Sequence, residues 1–466
     1  MLKSNLVAAA ILFAFASPVR AQDAELAKIR AEIEQIKQAY EQRIGALEKR
    51  LAEADAKAGK AEKAAANAEV AATSVANRSG ENAFNPAMSL VLQGTYARTS
   101  NDPDKFQITG FVPSGGEVGP PKRSFGLGET ELAIASNIDP YFRGVAIVSL
   151  ASEGGASIEE AYFQTLALPS GFIAKGGRYF SGIGYLNKLH QHAWDFQDAP
   201  LPYKAFLGNK LRQDGLQLKW IAPTDLLVEL GAELASGDQF PGSDRNKNGV
   251  GGSSIFGHVG GDIGASYAWR TGLSYLKTSP RDRSYVDTDS LSNPVVNSFT
   301  GSAKLWVADA VLKWAPNGNS THTNFKLQGE YFRSTQNGQL TYDDSAGSGV
   351  FGALSNQFGS RQSGWYLQGV YQFMPQWRVG YRYDRLNFGK VNNGIVLNGT
   401  GPGAADFPTL APYNPSRNTL MFDWSLTEFS RLRLQFAADK SRLGATDNQM
   451  FVQYIYSLGA HRAHQF

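Results

Sequence analysis

The chain has 466 residues, of which 19% are charged and 12% aromatic, and it contains 49 glycines and no cysteine. The charged fraction is below the ~25% of soluble domains, and a mean hydropathy of −0.29 excludes a bundle of membrane-spanning helices. The lack of cysteine excludes disulfide scaffolds, thiolate metal sites and cysteine nucleophiles, and the net charge of +3 predicts no nucleic-acid partner.

The N-terminus has the pattern of a secretory signal peptide. Lys3 precedes the apolar stretch 6–16, and Val19 and Ala21 are small residues at the two positions that a signal peptidase reads. Because this stretch is too short to span a bilayer, we expect residues 1–21 to be removed and the mature chain to leave the cytoplasm. An uncleaved anchor is the alternative.

Residues 22–80 are predicted to form a periplasmic coiled-coil stalk that ends in a hinge. Apolar residues recur at steps of three and four from Leu26 to Val75, with one extra four-residue step between Tyr40 and Ile44. A single solvated helix is the alternative, since alanine fills the second half of the seam. Isoleucine at both seam positions favours more than two strands, so we expect a homotrimer.

The period of the apolar residues changes to two in 81–466, which we interpret as one barrel domain. The clearest alternating stretches are 89–96, 216–220, 377–384, 431–436 and 450–456. Segments of about ten residues with one apolar face are what a transmembrane barrel needs.

The connections between these stretches alternate between short and long. Tight turns rich in Pro, Gly, Asn and Asp are predicted at 137–140, 168–171, 222–225, 269–272, 315–318, 374–376 and 427–430. Long polar loops are predicted at 99–124, 152–157, 181–212, 236–260, 279–302, 335–362, 388–417 and 442–447.

This asymmetry predicts an all-β transmembrane barrel of about 16 antiparallel strands, preceded by the α-helical coiled coil. Five tryptophans near the tight turns would form an aromatic girdle: Trp220, Trp269, Trp314, Trp377 and Trp424. A secreted sandwich or propeller is the alternative, although neither requires short turns on one side and long loops on the other.

The last residue, Phe466, follows an alternating segment and resembles the assembly signal of Gram-negative outer-membrane proteins. Arg462 and His464 stand where such signals are usually apolar. We therefore expect the last strand to end near Leu458.

A signal peptide, a coiled coil and sixteen strands make the layout similar to that of trimeric porins of the DcaP-like and phosphate-selective types. The stretches 85–87, 124–129 and 180–185 also resemble a family of proteobacterial outer-membrane proteins described as porins or as TonB-dependent receptors, sometimes in a zinc context. A TonB-dependent receptor needs about 22 strands and a plug, so the porin description fits better. The resemblance implies an outer-membrane location among lipid and lipopolysaccharide.

It also implies a porin through which small hydrophilic solutes, anions among them, diffuse passively. Loop 181–212 is expected to fold inward and narrow the lumen with Lys188, His190, His192, Asp195 and Asp198. Inward basic residues are predicted at Lys326, Arg378, Arg382, Arg431 and Arg433, and inward acidic residues at Glu129, Glu131, Glu229 and Glu233. Facing each other, they would set a transverse field and an ion preference. Solvated charges at the rims are the alternative.

Two metal sites are candidates. His190 and His192 offer imidazoles to zinc, with Asp195 or Asp198 as an oxygen ligand. A surface His-x-His pattern without a metal is the alternative.

The second candidate is a calcium loop that begins with Asp244, Asn246 and Asn248. Its twelfth position is Ile255 instead of glutamate, so the motif is incomplete and a polar turn is the alternative. No other cofactor is predicted.

Sequence motifs of enzymes do not stand out, and we expect no catalysis. Two other functions remain open at this point. One is a metal-linked uptake receptor that uses zinc. The other is an envelope tether whose stalk binds peptidoglycan or an envelope protein.

Overall fold

The computed structural model describes Glu34, Gln38 and most of the chain from residue 86 onward. The described stretches are 86–115, 118–150, 154–343, 345–347, 350–397 and 401–459. The predicted signal peptide at 1–21 lies outside them, as does the stalk at 22–80 apart from Glu34 and Gln38, which are helical. These two predictions, and those for the tail after residue 459, stay predictions.

Among the described residues, eighteen strand segments form one antiparallel sheet. In chain order they are β1 Ala87–Thr99, β2 Ser124–Leu127, β3 Thr130–Asn137, β4 Phe142–Leu150, β5 Ala156–Thr165, β6 Phe172–Phe180, β7 Arg212–Ile221, β8 Leu227–Ala235, β9 Gly252–Ile263, β10 Tyr267–Thr278, β11 Arg283–Thr288, β12 Pro294–Trp314, β13 Asn324–Tyr342, β14 Leu354–Met374, β15 Trp377–Asn393, β16 Ser416–Thr427, β17 Ser430–Lys440 and β18 Asp447–Gly459.

Pairing between the first and last strands closes this sheet into a barrel. β1 pairs with β18 from Ser89 opposite Gly459 to Thr99 opposite Gln449. β2 and β3 both pair with β1, and β10 and β11 both pair with β12, so each couple is one interrupted strand of the wall. The wall therefore has sixteen strands.

In the described part of the chain from residue 86 onward, the helical segments are short and lie in the connections. They are the α-helices α1 Leu201–Leu207 and α2 Gly394–Leu397, and the 3-10 turns Pro103–Lys105, Pro169–Gly171, Gln191–Ala193, Pro316–Gly318, Ala404–Asp406 and Pro408–Leu410. Within the described ranges, no helix has the length and apolarity to cross a bilayer.

Apolar side chains point outward from the strands and polar ones point inward. On β7, the outward Leu216 is 63% exposed, whereas its neighbour Gln217 is 5% exposed. On β15, Tyr381 is likewise exposed and Arg382 is buried. A surface of this kind meets lipid on one side and a polar interior on the other. The predicted transmembrane barrel of sixteen antiparallel strands is confirmed.

Aromatic rings pair at the short-turn end of the barrel. Trp377 of β15 stacks on Trp424 of β16, with ring centroids 5.5 Å apart. Trp220 of β7 lies 6.5 Å from Phe172 of β6, again between centroids. Such rings favour the level of the lipid headgroups.

The predicted tight turn at 269–272 is wrong. β9 and β10 are joined at 264–266, and Trp269 lies inside β10, opposite Leu312 of β12. Gly272 is a strand residue whose missing Cβ leaves room for other side chains: a Cβ there would overlap His258 and Asp309. The glycine reflects inward packing rather than a turn.

Four predicted loops are too long: 236–260, 279–302, 335–362 and 388–417. Residues at the ends of these predicted loops belong to the neighbouring strands: β9 begins at Gly252, β12 at Pro294 and β14 at Leu354. The extended strands and the segment after α2 bury a hydrophobic core at the long-loop end: Val295, Phe299, Leu340, Tyr342, Phe358, Ile395, Phe407 and Leu410. This core stabilises the parts of the strands that extend past the outward apolar surface at the long-loop end.

Candidate functional site

Residues 181–211, between β6 and β7, fold into the barrel interior and are called the inward loop here. Trp194, Phe196 and the whole of α1 are buried. The loop shares a hydrophobic core with inward side chains of six strands: Phe256, Leu276, Leu305, Phe332, Tyr366 and Leu386. This apolar packing, with the polar contacts below, fixes the loop across the lumen.

One buried carboxylate on β13 holds the start of the inward loop. Glu330 accepts hydrogen bonds from the backbone N–H groups of Tyr185 and Leu186, both at 3.1 Å. It also accepts from the hydroxyl groups of Tyr203 at 2.9 Å and Tyr366 at 2.6 Å. Four donors therefore satisfy a carboxylate that is buried away from bulk water.

Two glycines allow the backbone to come this close to the wall. Gly184 has a φ of +65°, and a Cβ there would overlap the carboxylate of Glu330. A Cβ at Gly182 would overlap the ring of Phe256. The stretch 180–185 therefore has a structural role in seating the loop.

Polar contacts also join the two ends of the inward loop. Glu233 of β8 accepts from the N–H of Gly182 at 2.8 Å and from the hydroxyl of Ser181 at 2.5 Å. The Asn187 side chain donates to the Ser181 carbonyl at 2.8 Å and accepts from the Leu211 N–H at 2.7 Å. The entry and the exit of the loop are thus cross-linked by hydrogen bonds.

All five predicted basic residues lie in the interior, and each contacts the inward loop. They occupy β13, β15 and β17: Lys326, Arg378, Arg382, Arg431 and Arg433. Asp195 of the loop pairs with Lys326 and, at 3.2 Å, with Arg378. Burial alone would raise the pKa of Asp195, but Lys326 and Arg378 hold this pKa below its usual value.

Asp198 makes the second acidic contact of the loop. Its carboxylate pairs with Lys204 at 3.0 Å, with Arg382 at 3.2 Å and with Arg417 of β16. Burial alone would raise the pKa of Asp198, but Arg417, Lys204 and Arg382 hold it well below its usual range.

The two arginines of β17 bind the backbone of the loop. Arg433 donates to the Trp194 carbonyl at 2.7 Å, and Arg431 donates to the His192 carbonyl. Arg433 is also paired with Asp423 at 2.8 Å. Guanidinium groups with several donors suit this task, because one group binds a carbonyl and a carboxylate together.

The predicted acidic residues lie on other strands. Glu129 precedes β3, Glu131 is in β3, and Glu229 and Glu233 are in β8. Glu131 and Glu233 contact the inward loop, as do the basic residues of β13, β15 and β17. The acidic residues of β3 and β8 and the basic residues of β13, β15 and β17 therefore contact the same inward loop inside the barrel.

The imidazoles of His190 and His192 lie against glutamates of the wall. His190 Nδ1 is 3.0 Å from Glu131 and 3.2 Å from Glu159 of β5, and its Nε2 is 3.0 Å from Glu160. His192 Nδ1 is 3.1 Å from the other oxygen of Glu131. These groups form a His–Glu cluster between the loop and two strands.

The expectation that Asp195 or Asp198 completes this cluster is wrong. Both aspartates bind the basic residues instead, as described above. His190 precedes the 3-10 turn Gln191–Ala193 and the aspartates follow it, so their side chains reach different strands.

A second group of charges surrounds Glu229. Its carboxylate lies 2.9 Å from His258 Nδ1 and 3.4 Å from the Lys219 ammonium. Burial, with Arg270 nearby, lowers the pKa of Lys188 to about 8. Lys188 is thus an inward cation that loses its proton more readily than a solvated lysine.

The calcium candidates lie in the exposed loop 236–251. The carboxylate of Asp244 accepts from the backbone N–H of Asn246 at 2.9 Å. Asp244, Asn246 and Asn248 are all exposed, while Ile255 belongs to β9. The calcium site stays a prediction.

A cavity of about 470 Å³ lies at the long-loop end. Its polar lining includes Lys105, Gln107, Asp287, Thr409 and Arg442. Gln107 donates to the Thr409 hydroxyl at 3.0 Å, which in turn donates to Asp287 at 2.9 Å. A polar cavity of this size accommodates a small hydrophilic molecule.

Several residues of the site escape the sequence-based prediction, among them Glu159, Glu160, Glu330 and Arg417. Glu330 follows Lys326 at an interval of four, so the inward period of β13 carried a signal for it. Arg417 falls within the predicted loop 388–417, which hid its place in β16.

Comparisons with known proteins give one relative by sequence and several by fold. No family model matches the chain. An uncharacterized protein of Aquifex aeolicus (strain VF5) is 29% identical over 425 residues, which cover 83% of this chain and 81% of the relative.

Three solved structures illustrate the likeness in fold. OmpT of Vibrio cholerae in its trimer form, an outer membrane protein, is 9% identical with a TM-score of 0.48 and covers 80% of this chain and 99% of its own. The outer membrane channel DcaP of Acinetobacter baumannii is 12% identical with a TM-score of 0.44, over 80% of this chain and 96% of its own. An anion-selective porin from Comamonas acidovorans is 11% identical with a TM-score of 0.46, and the match covers 80% of this chain and 99% of the porin.

Proposed function

We propose that this protein is an outer-membrane channel for the passive diffusion of small hydrophilic solutes. A barrel of sixteen strands is wide enough to leave an aqueous passage. The observation that carries the proposal is the inward loop, which is fastened to the wall on several sides inside a polar lumen. Such a loop narrows the passage and limits the size of the solutes that pass, while the wall of strands stays wide.

The charges at this constriction support a modest preference for anions. Seven cations line it: Lys204, Lys326, Arg378, Arg382, Arg417, Arg431 and Arg433. Five carboxylates lie within ion-pair distance of them: Asp195, Asp198, Asp384, Asp423 and Asp439. Because the cations are nearly balanced, the field that remains for a solute is small and positive.

Solutes would enter through the polar cavity at the long-loop end. Lys105 and Arg442 line it together with one carboxylate, Asp287, and neutral hydrogen-bonding groups. This lining supports selection by size and hydrogen bonding, with a weak attraction for anions.

The assembly proposed with this function is a homotrimer in the outer membrane, surrounded by lipid and lipopolysaccharide. Its support is the heptad pattern of 22–80 and the outward apolar surface of the strands. Cross-linking of the protein with and without 22–80 tests whether the stalk causes trimer formation.

Conductance across a planar bilayer tests the channel. Purified full-length protein is expected to give discrete current steps in KCl. A folded barrel that inserts but carries no ion current would overturn the proposal. Reversal potentials in a KCl gradient then measure the preference for anions.

A further inference from the structure

The His–Glu cluster has the geometry of a metal site. Three polar atoms, Nδ1 of His190 and one oxygen each of Glu131 and Glu159, lie within 4.8 Å of one another. Ligands of one transition-metal ion bind it at about 2.0–2.2 Å, so their atoms stand about 3–4 Å apart. The three atoms therefore require only a small movement to share an ion.

The remaining polar atom of each of these three groups is held by another side chain. The contacts are His190 Nε2 to Glu160 at 3.0 Å, His192 Nδ1 to Glu131 Oε1 at 3.1 Å, and Lys210 Nζ to Glu159 Oε1 at 3.0 Å. A carboxylate behind the second nitrogen of a ligating histidine is the usual way in which proteins orient such a ring. The cluster thus has both potential ligands and the groups that position them.

Negative charge exceeds positive charge in the cluster. Three carboxylates, those of Glu131, Glu159 and Glu160, contact the two imidazoles and the ammonium of Lys210. All three glutamates are buried, and buried carboxylates in proteins are paired with cations or coordinate metal ions. The excess of buried carboxylates therefore favours a further cation in this cluster.

We propose that His190, Glu131 and Glu159 bind a divalent transition-metal ion. One imidazole nitrogen with two carboxylate oxygens suits first-row transition metals, whereas Ca²⁺ and Mg²⁺ prefer oxygen ligands alone. The ion fastens the inward loop to β3 and β5 and leaves coordination positions open. The site depends on these side chains alone and does not require the barrel to conduct.

A second histidine in the interior provides a matched control. His258 lies between Glu229, at 2.9 Å, and Asp309, at 3.8 Å. Arg270 stands 3.7 Å from Asp309. The two carboxylates lie on opposite nitrogens of the ring, Glu229 at Nδ1 and Asp309 at Nε2, so they cannot share one ion with a single imidazole nitrogen and the His258 group is not expected to take a metal ion.

Cobalt binding to the folded, full-length protein tests the site. Titration with Co²⁺ in detergent is expected to give a saturable visible absorbance at one ion per chain. His190→Gln should abolish this signal, and Glu160→Gln should weaken the affinity about 10–100-fold because the ring is no longer oriented. His258→Gln should bind as the wild type does, and excess Mg²⁺ should not displace the ion.

Several outcomes would overturn the proposal. These are a wild-type protein without a saturable Co²⁺ signal, a His190→Gln variant with unchanged affinity, and displacement by Mg²⁺. Heat-dependent migration in gels establishes that each variant forms a barrel. If His190→Gln does not fold, Glu159→Gln replaces it: loss of the signal supports the site, and wild-type affinity overturns it.

Discussion

Asp198 Oδ1 and Arg382 Nη2 lie 3.2 Å apart, although 184 positions of the chain separate the two residues. Arg382 also donates to the backbone carbonyl of Asp198 at 2.7 Å, so one side chain of β15 holds the inward loop by two groups. Leaving a buried charge without its partner costs about 3–5 kcal/mol. The loop is therefore favoured inside the barrel by the charges of the wall as well as by its apolar side chains.

Removing the two acidic contacts of the loop should open the passage and increase its preference for anions. Asp195→Asn/Asp198→Asn removes the aspartate that faces Lys326 and one of the two aspartates that face each of Arg378, Arg382 and Arg417. The loop should leave the wall in part of the molecules, and the unpaired cations should attract anions. Conductance steps and reversal potentials in a KCl gradient measure both effects.

Asp225→Asn is the matched control for that double variant, because Asp225 is exposed in the turn between β7 and β8. It should conduct as the wild type does. A double variant with wild-type step size and reversal potential would contradict the role given to the two aspartates.

The same ion pairs should be insensitive to pH over the neutral range. The pKa of Asp198 is well below its ordinary value of 3.8 in the docked loop, where Lys204, Arg382 and Arg417 face it. A depressed carboxyl pKa stabilises the docked state above the ordinary value, and this stability is lost as the pH falls toward the lowered one. The difference in conductance between the wild type and Asp195→Asn/Asp198→Asn should stay constant from about pH 7 to 5 and shrink below about pH 4. A difference that already disappears near pH 6 would contradict this.

The strands of the barrel were accessible to sequence reasoning because lipid imposes a strict rule on them. Every second residue must be apolar, so the sequence alone indicates that Leu216 faces lipid and that its neighbour Gln217 faces the interior. The rule ends where the lipid ends. Beyond it, Leu340 and Phe358 are fixed by a core with residues from other loops, and no local pattern reports such a contact.

The candidate site was accessible only in part, for a related reason. Inward basic residues such as Arg382 are visible as the polar half of an alternating strand. The partner of each is set by where the inward loop runs, and that path depends on packing between distant segments. The sequence therefore indicates His190 and Asp195 as site residues. It does not reveal that His190 faces glutamates whereas Asp195 faces Lys326.

A charge on the lipid-facing surface should destabilise the barrel. Leu273, in the middle of β10, points outward and is 55% exposed. Leu273→Arg is expected to cost about 2–4 kcal/mol if this position lies near the middle of the bilayer. Leu291→Arg is the control, since Leu291 is 66% exposed but lies in the loop between β11 and β12. Urea unfolding in lipid vesicles measures the two costs, and equal values would contradict the proposed orientation of β10.

Gly184→Ala should loosen the inward loop without unfolding the barrel. An alanine Cβ at this position would overlap the carboxylate of Glu330, which binds the backbone of the next two residues. The backbone also has a φ of +65°, which disfavours alanine by itself. Gly249→Ala is the control for an alanine at positive φ without a steric clash, because Gly249 has a φ of +92° but no atom within 4 Å of its Cβ position.

The chain has no cysteine, so a single one introduced into the inward loop reports its exposure. Ala199 is 0% exposed, and Ala199→Cys should react slowly with a water-soluble maleimide while the loop is docked. If the contact with Glu330 contributes about 1–3 kcal/mol to docking, then Gly184→Ala should raise the labelling rate about 5- to 150-fold. Gly249→Ala should leave this rate unchanged, since its strain lies in the loop 236–251. Equal labelling in the two backgrounds would show that Glu330 does not hold the loop, because the two variants share the positive φ and differ in this contact.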